Sequence, residues 1–358
     1  MKNIIVIITI AILLVGAVFS YSISQESKAN EINYKQTTLI SDDYIFGNND
    51  YLYKPWKIRI NEKTKEIFIS DVGNFCICVF DYQGKFIRKF MRKGQGPGEV
   101  MTYFDFFLDE DGSVYISDSM NNRISIYSRE GKYIGQLAKS DLTKNGGKFR
   151  LLDMFMNKDN IILNLPNFGY YFSVFSKSGD LIKNIGEIDD FKKGSQLGDF
   201  NIQYAKGIPI VDKSGNSYIF LPNRFMIRKY DMNGKHIKDV FLDKYNSELT
   251  DLINKALPEK QNSISTYNLL SCAIYKNDRL YFLFREPPYK KPTYKSTIME
   301  LDEDLRLIKK HILTFEDDVL VLNSPDNTFN FDILTINNEI RFIMPIPKKS
   351  IVLQFVKN

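Results

Sequence analysis

Short runs in which apolar and polar residues alternate follow one another along most of the chain, broken by turns containing Gly, Asp and Asn. That period of two predicts half-buried strands, and the spacing of the turns predicts hairpins. The runs are also copies of one another. "KEIFISDVGNFCICVFDYQGKFIRKF" (Lys65 to Phe90) aligns with "GSVYISDSMNNRISIYSREGKYIGQL" (Gly112 to Leu137) at an offset of 47, matching Asp71 to Asp118, Phe80 to Tyr127 and Gly84 to Gly131. A third copy keeps the glycine at Gly179 and a fourth at Gly234, and degenerate copies begin at "RLYFLFREPP" and "EIRFIMPIPKK".

Each copy reads as four strands: two joined by a tight polar hairpin, a loop carrying Asp, Asn or Pro, a third strand, and a Gly turn into a fourth. A repeat of this length and content cannot cover both of its faces and must stack on its neighbours. The expected fold is therefore all-β: a six-bladed β-propeller with four antiparallel strands per blade. The sixth copy stops after its third strand, "SIVLQFVKN". The missing strand is expected from "NEINYKQTTLIS" near the N-terminus, so that the last blade is closed by an N-terminal strand and its open edge is removed.

Two segments depart from the repeat. In "SELTDLINKALPEK", Leu249, Leu252, Ile253, Ala256 and Leu257 recur at helical spacing before Pro258, which predicts a short helical insertion near 246–260. Gly186 to Lys206 predicts a long polar loop between the third and fourth copies. Such crossings share a face with the loops joining second to third strands, and long loops make that face the candidate for binding.

The stretch "MRKGQGPGEV" falls at the crossing between the first two blades. Its Gly94, Gly96 and Gly98 lack the spacing of a dinucleotide cradle or a P-loop, and strand follows strand. The glycines are expected to permit unusual backbone angles, Pro97 to stiffen the bend, and Glu99 to take loop amides or an Arg.

These residues resemble an NHL repeat, and the G-x-G-P-G-E mark is similar to that of six-bladed propellers exported by bacteria. The resemblance is clear over residues 55 to 137; the other copies match by strand pattern only. It implies that Asp118, Asn121 and Arg123 hold a D-x-x-N-x-R pattern with a structural loop role. Asp71 and Asn74 are the counterparts in the first blade, where Cys76 stands in the Arg position.

Composition agrees with a large β domain. Of 358 residues, 27 are Phe and 21 Tyr, and aromatic and β-branched residues suit pleated surfaces. The 48 basic and 43 acidic residues are dispersed, without the basic block of a nucleic-acid arm, so no nucleic-acid partner is expected. Among three cysteines, Cys76 and Cys78 lie on one side of a strand and are expected to be buried thiols, neither a bridge nor a metal site. The apolar run Ile4 to Phe19 predicts that residues 1–24 are a signal peptide or an N-terminal membrane anchor, with residues 25–358 forming one propeller domain. The protein is then exported to the periplasm or cell envelope, and it touches membrane only through that segment if uncleaved.

The expected function is a noncatalytic envelope propeller that binds a glycan, peptide or protein partner on the long-loop face. Candidate ligand residues there are Asn122, Arg123, Tyr170, Tyr171, Arg224, Arg285 and Tyr289, flat aromatics and hydrogen-bonding groups. Trp56 is assigned to the core. The alternative is a metal-dependent propeller hydrolase or lyase of the lactonase type implied by the resemblance. No cofactor is expected under the first reading. Under the second, calcium is expected on inner-strand acids such as Asp153, Asp212 and Asp332. The two histidines, His236 and His311, fall on fourth strands, at the expected blade periphery.

Overall fold

The computed structural model describes residues 30–47, 49–101, 105–109, 111–118, 120–121, 123–137, 154–156, 160–164, 169–188, 207–221, 225–245, 270–285, 293–316 and 330–358. The N-terminal apolar run, the segment expected to be helical near 246–260 and most of the segment expected to form a long polar loop lie outside them.

The first four blades are separate four-stranded antiparallel sheets whose strands follow chain order. Blade one is β2 (Pro55–Asn61), β3 (Glu66–Asp71), β4 (Cys76–Asp81) and β5 (Phe86–Phe90). After a two-residue pair, β6 (Arg92–Lys93) and β7 (Glu99–Val100), blade two is β8 (Asp105–Leu108), β9 (Val114–Asp118), β10 (Arg123–Tyr127) and β11 (Tyr133–Leu137). Blade three is β12 (Met154–Met156), β13 (Asn160–Leu163), β14 (Tyr170–Ser176) and β15 (Leu181–Glu187). Blade four is β16 (Ile208–Val211), β17 (Ser217–Leu221), β18 (Met226–Tyr230) and β19 (His236–Phe241).

Blades five and six are fused. Blade five is β20 (Leu270–Lys276), β21 (Arg279–Arg285), β22 (Thr293–Leu301) and β23 (Leu307–Glu316); blade six begins with β24 (Asp332–Ile336), β25 (Glu339–Ile346) and β26 (Ile351–Lys357). The N-terminal strand β1 (Asn30–Ile40) is the fourth strand of blade six, antiparallel to β26 from Tyr34↔Lys357 to Ile40↔Val352. Its other edge pairs in parallel with β23, from Asn30↔Lys309 to Lys35↔Thr314, making one eight-stranded sheet. The closing strand is as expected; the parallel bond to blade five is additional.

The core follows from the repeat. Six buried apolar clusters lie among the described residues, each built by two neighbouring blades. Second strands are buried on both faces because successive side chains point to opposite neighbours. In β3, Ile67 and Ile69 join the cluster shared with blade six, while Phe68 joins the one shared with blade two. In β17, Tyr218 and Phe220 face blade five, and Ile219 and Leu221 face blade three.

The recurring glycine also has a physical cause. In each turn from third to fourth strand, the N–H of the glycine reaches the carbonyl three residues back: Gly84 to Asp81, Gly131 to Ser128, Gly179 to Ser176 and Gly234 to Asp231. All four sit at positive φ, which a residue without Cβ adopts freely. Blade five makes the same turn with Leu305 at φ 62, its side chain buried between blades four and five.

Candidate functional site

On the loop face of blades one and two, two aspartates end second strands and organise everything around them. Asp71 accepts hydrogen bonds from the backbone N–H of Tyr53 (2.8 Å), Lys54 (2.9 Å), Gly73 and Asn74, and from Asn74 Nδ2. Asp118 does the same for the N–H of Met101, Met120 and Asn121 and for Asn121 Nδ2. A carboxylate offers about four acceptor sites, which suits this convergence of donors in a buried setting.

The Gly-rich crossing is wrapped by the same motif. Asn121 Nδ2 donates to Gly94 O (3.0 Å), and Arg123 Nη2 donates to Gly96 O (2.5 Å) and Glu99 O (2.8 Å). Glu99 turns inward to accept from Gly96 N–H and Arg92 Nε, both at 2.8 Å. The Gly96 amide and then Arg92 hold its carboxyl below the usual glutamate range. Gly94 has φ 155, and a Cβ there would lie 2.0 Å from the Glu99 carboxylate. Gly98 sits at φ 75, and Pro97 between them is exposed. The stretch is a stitched connector whose polar groups point at one another.

Beside the connector lies an aromatic and cationic surface. Tyr51 and Tyr53 are 51% and 48% exposed, and Met120, on the adjacent loop, is 69% exposed. Their backbone is held firmly: Tyr51 O accepts from Asn74 Nδ2 (2.8 Å), and Tyr53 O accepts from Ser350 Oγ of blade six (2.6 Å). The Tyr53 ring lies against Gly73, where a Cβ would come within 2.4 Å of it. Lys54 Nζ stands 5.5 Å from the Tyr53 ring centroid and Lys93 Nζ 4.9 Å from that of Phe75. The sequence reading missed Tyr51 and Tyr53, although both precede the first blade beside Pro55, where a crossing must surface.

The residues singled out from the sequence are dispersed. Arg123 is committed to the connector carbonyls, with Nη1 at 3.5 Å from Gln136 Oε1, rather than presented to a ligand. Tyr171 is buried between blades three and four, and Tyr170 beside it is half-buried. Arg285 ends β21; its side chain, Asn122, Arg224 and Tyr289 lie outside the described residues. Trp56 packs against the cluster of blades one and two. Cys76 and Cys78 are buried free thiols with their sulfurs 3.7 Å apart.

Around the axis, acids are tied to protein donors. Asp212 accepts from Ser214 N–H, Asn216 N–H and Nδ2, and Tyr218 Oη within its own hairpin. Asp332 accepts from Ile60 N–H (2.7 Å), Ile333 N–H and Lys276 Nζ (3.0 Å). Their oxygens are thus committed to donors that a calcium ion would have to displace; Asp153 lies outside the described residues. Lys57, buried, and Asp105, partly buried, on the inner strands of blades one and two, form an ion pair at 2.5 Å.

His236 is at the periphery, paired with Asp239 (2.9 Å). His311 is not. It is fully buried because β1 covers β23, with Nε2 at 2.8 Å from Glu300 Oε2 and Nδ1 at 3.1 Å from Tyr34 Oη. Burial, with help from the Glu300 charge, pushes the Tyr34 phenol up to about 12.

Residues 52–189 match the model of a family, DUF5128, described as "6-bladed beta-propeller". No curated protein matches the sequence. Among solved structures, a member of the DUF4221 family from Bacteroides vulgatus is similar over 92% of this chain and 99% of its own, at 12% identity and TM-score 0.57. A protein of Bacteroides fragilis described as exported is similar over 91% and 99%, at 15% identity and TM-score 0.53. The virginiamycin B lyase of Staphylococcus aureus is similar over 90% and 99%, at 9% identity and TM-score 0.51. At such identities the likeness speaks to architecture, and in architecture the match, the neighbours and the ring of sheets agree: the chain is a six-bladed β-propeller.

Proposed function

We propose that the protein is an exported, noncatalytic propeller that binds a partner of the cell envelope on the loop face of blades six, one and two. One observation carries this reading: Tyr51 and Tyr53 keep about half their surface in water while their backbone groups are fixed by Asp71, Asn74 and Ser350. A rigid exposed aromatic pair loses little conformational freedom on binding, which is how contact area becomes affinity. Loops held on a stiff ring are also where binding groups concentrate in such folds. The N-terminal apolar run and the similarity to an exported propeller support delivery to the envelope.

A blocking experiment tests the proposal. Cysteine is introduced at Met120 on the loop face or at Glu339 on a hairpin of the opposite face, and a bulky polyethylene glycol is attached; the native thiols are buried. Retention on isolated envelope material is expected to be lost with the adduct at 120 and kept with the adduct at 339, and the eluted partner is expected to be chemically unchanged. Equal retention with both adducts, or a cleaved partner, overturns the reading.

A further inference from the structure

Resting on that reading, we infer that the sector of the loop face around Tyr51 and Tyr53 is a site for an acidic polysaccharide, a chain of sugar rings bearing carboxylates or sulfates. The surface is continuous across three blades: Ser350 of blade six bonds Tyr53, Gly73 seats the Tyr53 ring, Asn74 bonds Tyr51, Lys93 stands over Phe75, and Asn121 bonds Gly94. Its cations are Lys54, Lys93 and Lys349, all exposed. Among the described residues no carboxylate pairs with them. The acids nearby are already engaged: Asp50 with Lys89 (2.6 Å), Glu99 with Arg92 (2.8 Å), and Asp71 and Asp118 with backbone amides.

The combination selects a ligand. Half-exposed tyrosine rings offer flat apolar faces to the C–H face of a pyranose and a hydroxyl at the rim. The ammonium of Lys54 rests over the Tyr53 ring. A sugar stacking there displaces it to the rim, where an acid group on the ring replaces the lost cation–π contact with a charge pair. A neutral glycan uses the rings but leaves the lysines unmatched. An acidic peptide uses the lysines but has no repeating apolar face for the rings. The unbalanced positive rim therefore favours a chain carrying both features.

Binding of the purified protein to polygalacturonate, to the same polymer methyl-esterified, and to poly-L-glutamate separates these cases. Polygalacturonate is expected to bind, with affinity falling as salt rises, and the esterified polymer and poly-L-glutamate each at least about tenfold more weakly. Tyr53→Ala is expected to lower affinity for polygalacturonate about tenfold, with Tyr53→Phe near wild type. Lys54→Gln with Lys93→Gln is expected to lower it similarly and to flatten the salt dependence. Lys54 and Lys93 are exposed and Tyr53 is half-exposed, so each variant is expected to stay folded, with a cooperative melting transition near that of the wild type. Equal binding of poly-L-glutamate, or a Tyr53→Ala protein that binds unchanged, overturns the inference. If polygalacturonate does not bind but envelope retention is still blocked at position 120, the polysaccharide assignment alone fails. If both fail, the loop-face reading falls with it.

Discussion

Replacing Tyr34 measures how much the N-terminal strand contributes to the ring. The side chain is 2% exposed; its ring meets Phe342 edge-on at 5.1 Å and His311 at 5.6 Å, and its hydroxyl faces His311 Nδ1. Tyr34→Phe keeps the packing but leaves that nitrogen without its partner in a dry site, a loss of about 1–3 kcal/mol. Tyr34→Ala also empties the space of a buried aromatic ring, so the loss should be about 3–5 kcal/mol. Urea unfolding of the two variants against wild type reads both values. Alkaline pH adds a check on the hydroxyl. Because burial raises the folded phenol to about 12, its contribution is complete below the ordinary value of 10.0 and is lost as pH rises toward 12. The gap between wild type and Tyr34→Phe should therefore shrink across that interval, other buried tyrosines cancelling in the comparison. A Tyr34→Ala protein within about 0.5 kcal/mol of wild type, the range of ordinary surface substitutions, would refute the reasoning, since β1 would then not be docked.

Asp118→Ala should cost about 3 kcal/mol in the same assay, because four donors lose their acceptor at once; Asp111→Ala, on an exposed turn, should be near neutral. Leu305→Gly relieves a left-handed backbone worth about 1–2 kcal/mol but empties the space of a buried leucine at a cost of about 2–5 kcal/mol, so calorimetry should show a net loss of stability. Burial raises the Asp239 carboxyl, but Arg228, at 2.9 and 3.1 Å, and His236 outweigh it and hold it below 3.8. Its contribution is thus present above about pH 4 and lost as pH falls through the lowered value, so the deficit of Asp239→Asn should close on acidification. Native protein should not react with a thiol reagent until unfolded, since all three cysteines are buried and the hydrogen bond with Cys76, then desolvation, raise the Cys78 thiol.

The fold was readable in the chain because its determinants are local and repeated. A turn that needs positive φ shows as glycine at a fixed offset, and a blade short of one strand shows as a repeat that stops early. Pairing of β1 with β23 left no such mark, because any strand edge offers the same amides and carbonyls. That one omission misplaced His311: a fourth strand is peripheral only while its edge is free. Ligand residues were harder to read for a related reason. Tyr171 and the exposed Tyr53 are the same residue type, and blades buried on both faces give tyrosine no alternation from which to tell in from out. Arg123 sits on the loop face, yet the carbonyls of the Gly-rich connector, made available by its backbone bends, take its guanidinium.

Amide hydrogen exchange along Asn30–Ile40 tests the closed ring most directly. By its side chains β1 looks like a solvent-exposed edge, with Tyr34 and Ile40 alone buried. By its backbone it is paired with β23 over 30–35 and with β26 over 34–40, so that both edges are engaged at Tyr34 and Lys35. Its amides at Tyr34 and Lys35 should be protected well beyond those of β5, β11, β15 and β19, which end their sheets, and should exchange only with unfolding of the fused blades. Exchange of β1 at the rate of a frayed terminus, with blades five and six still protected, would contradict the account.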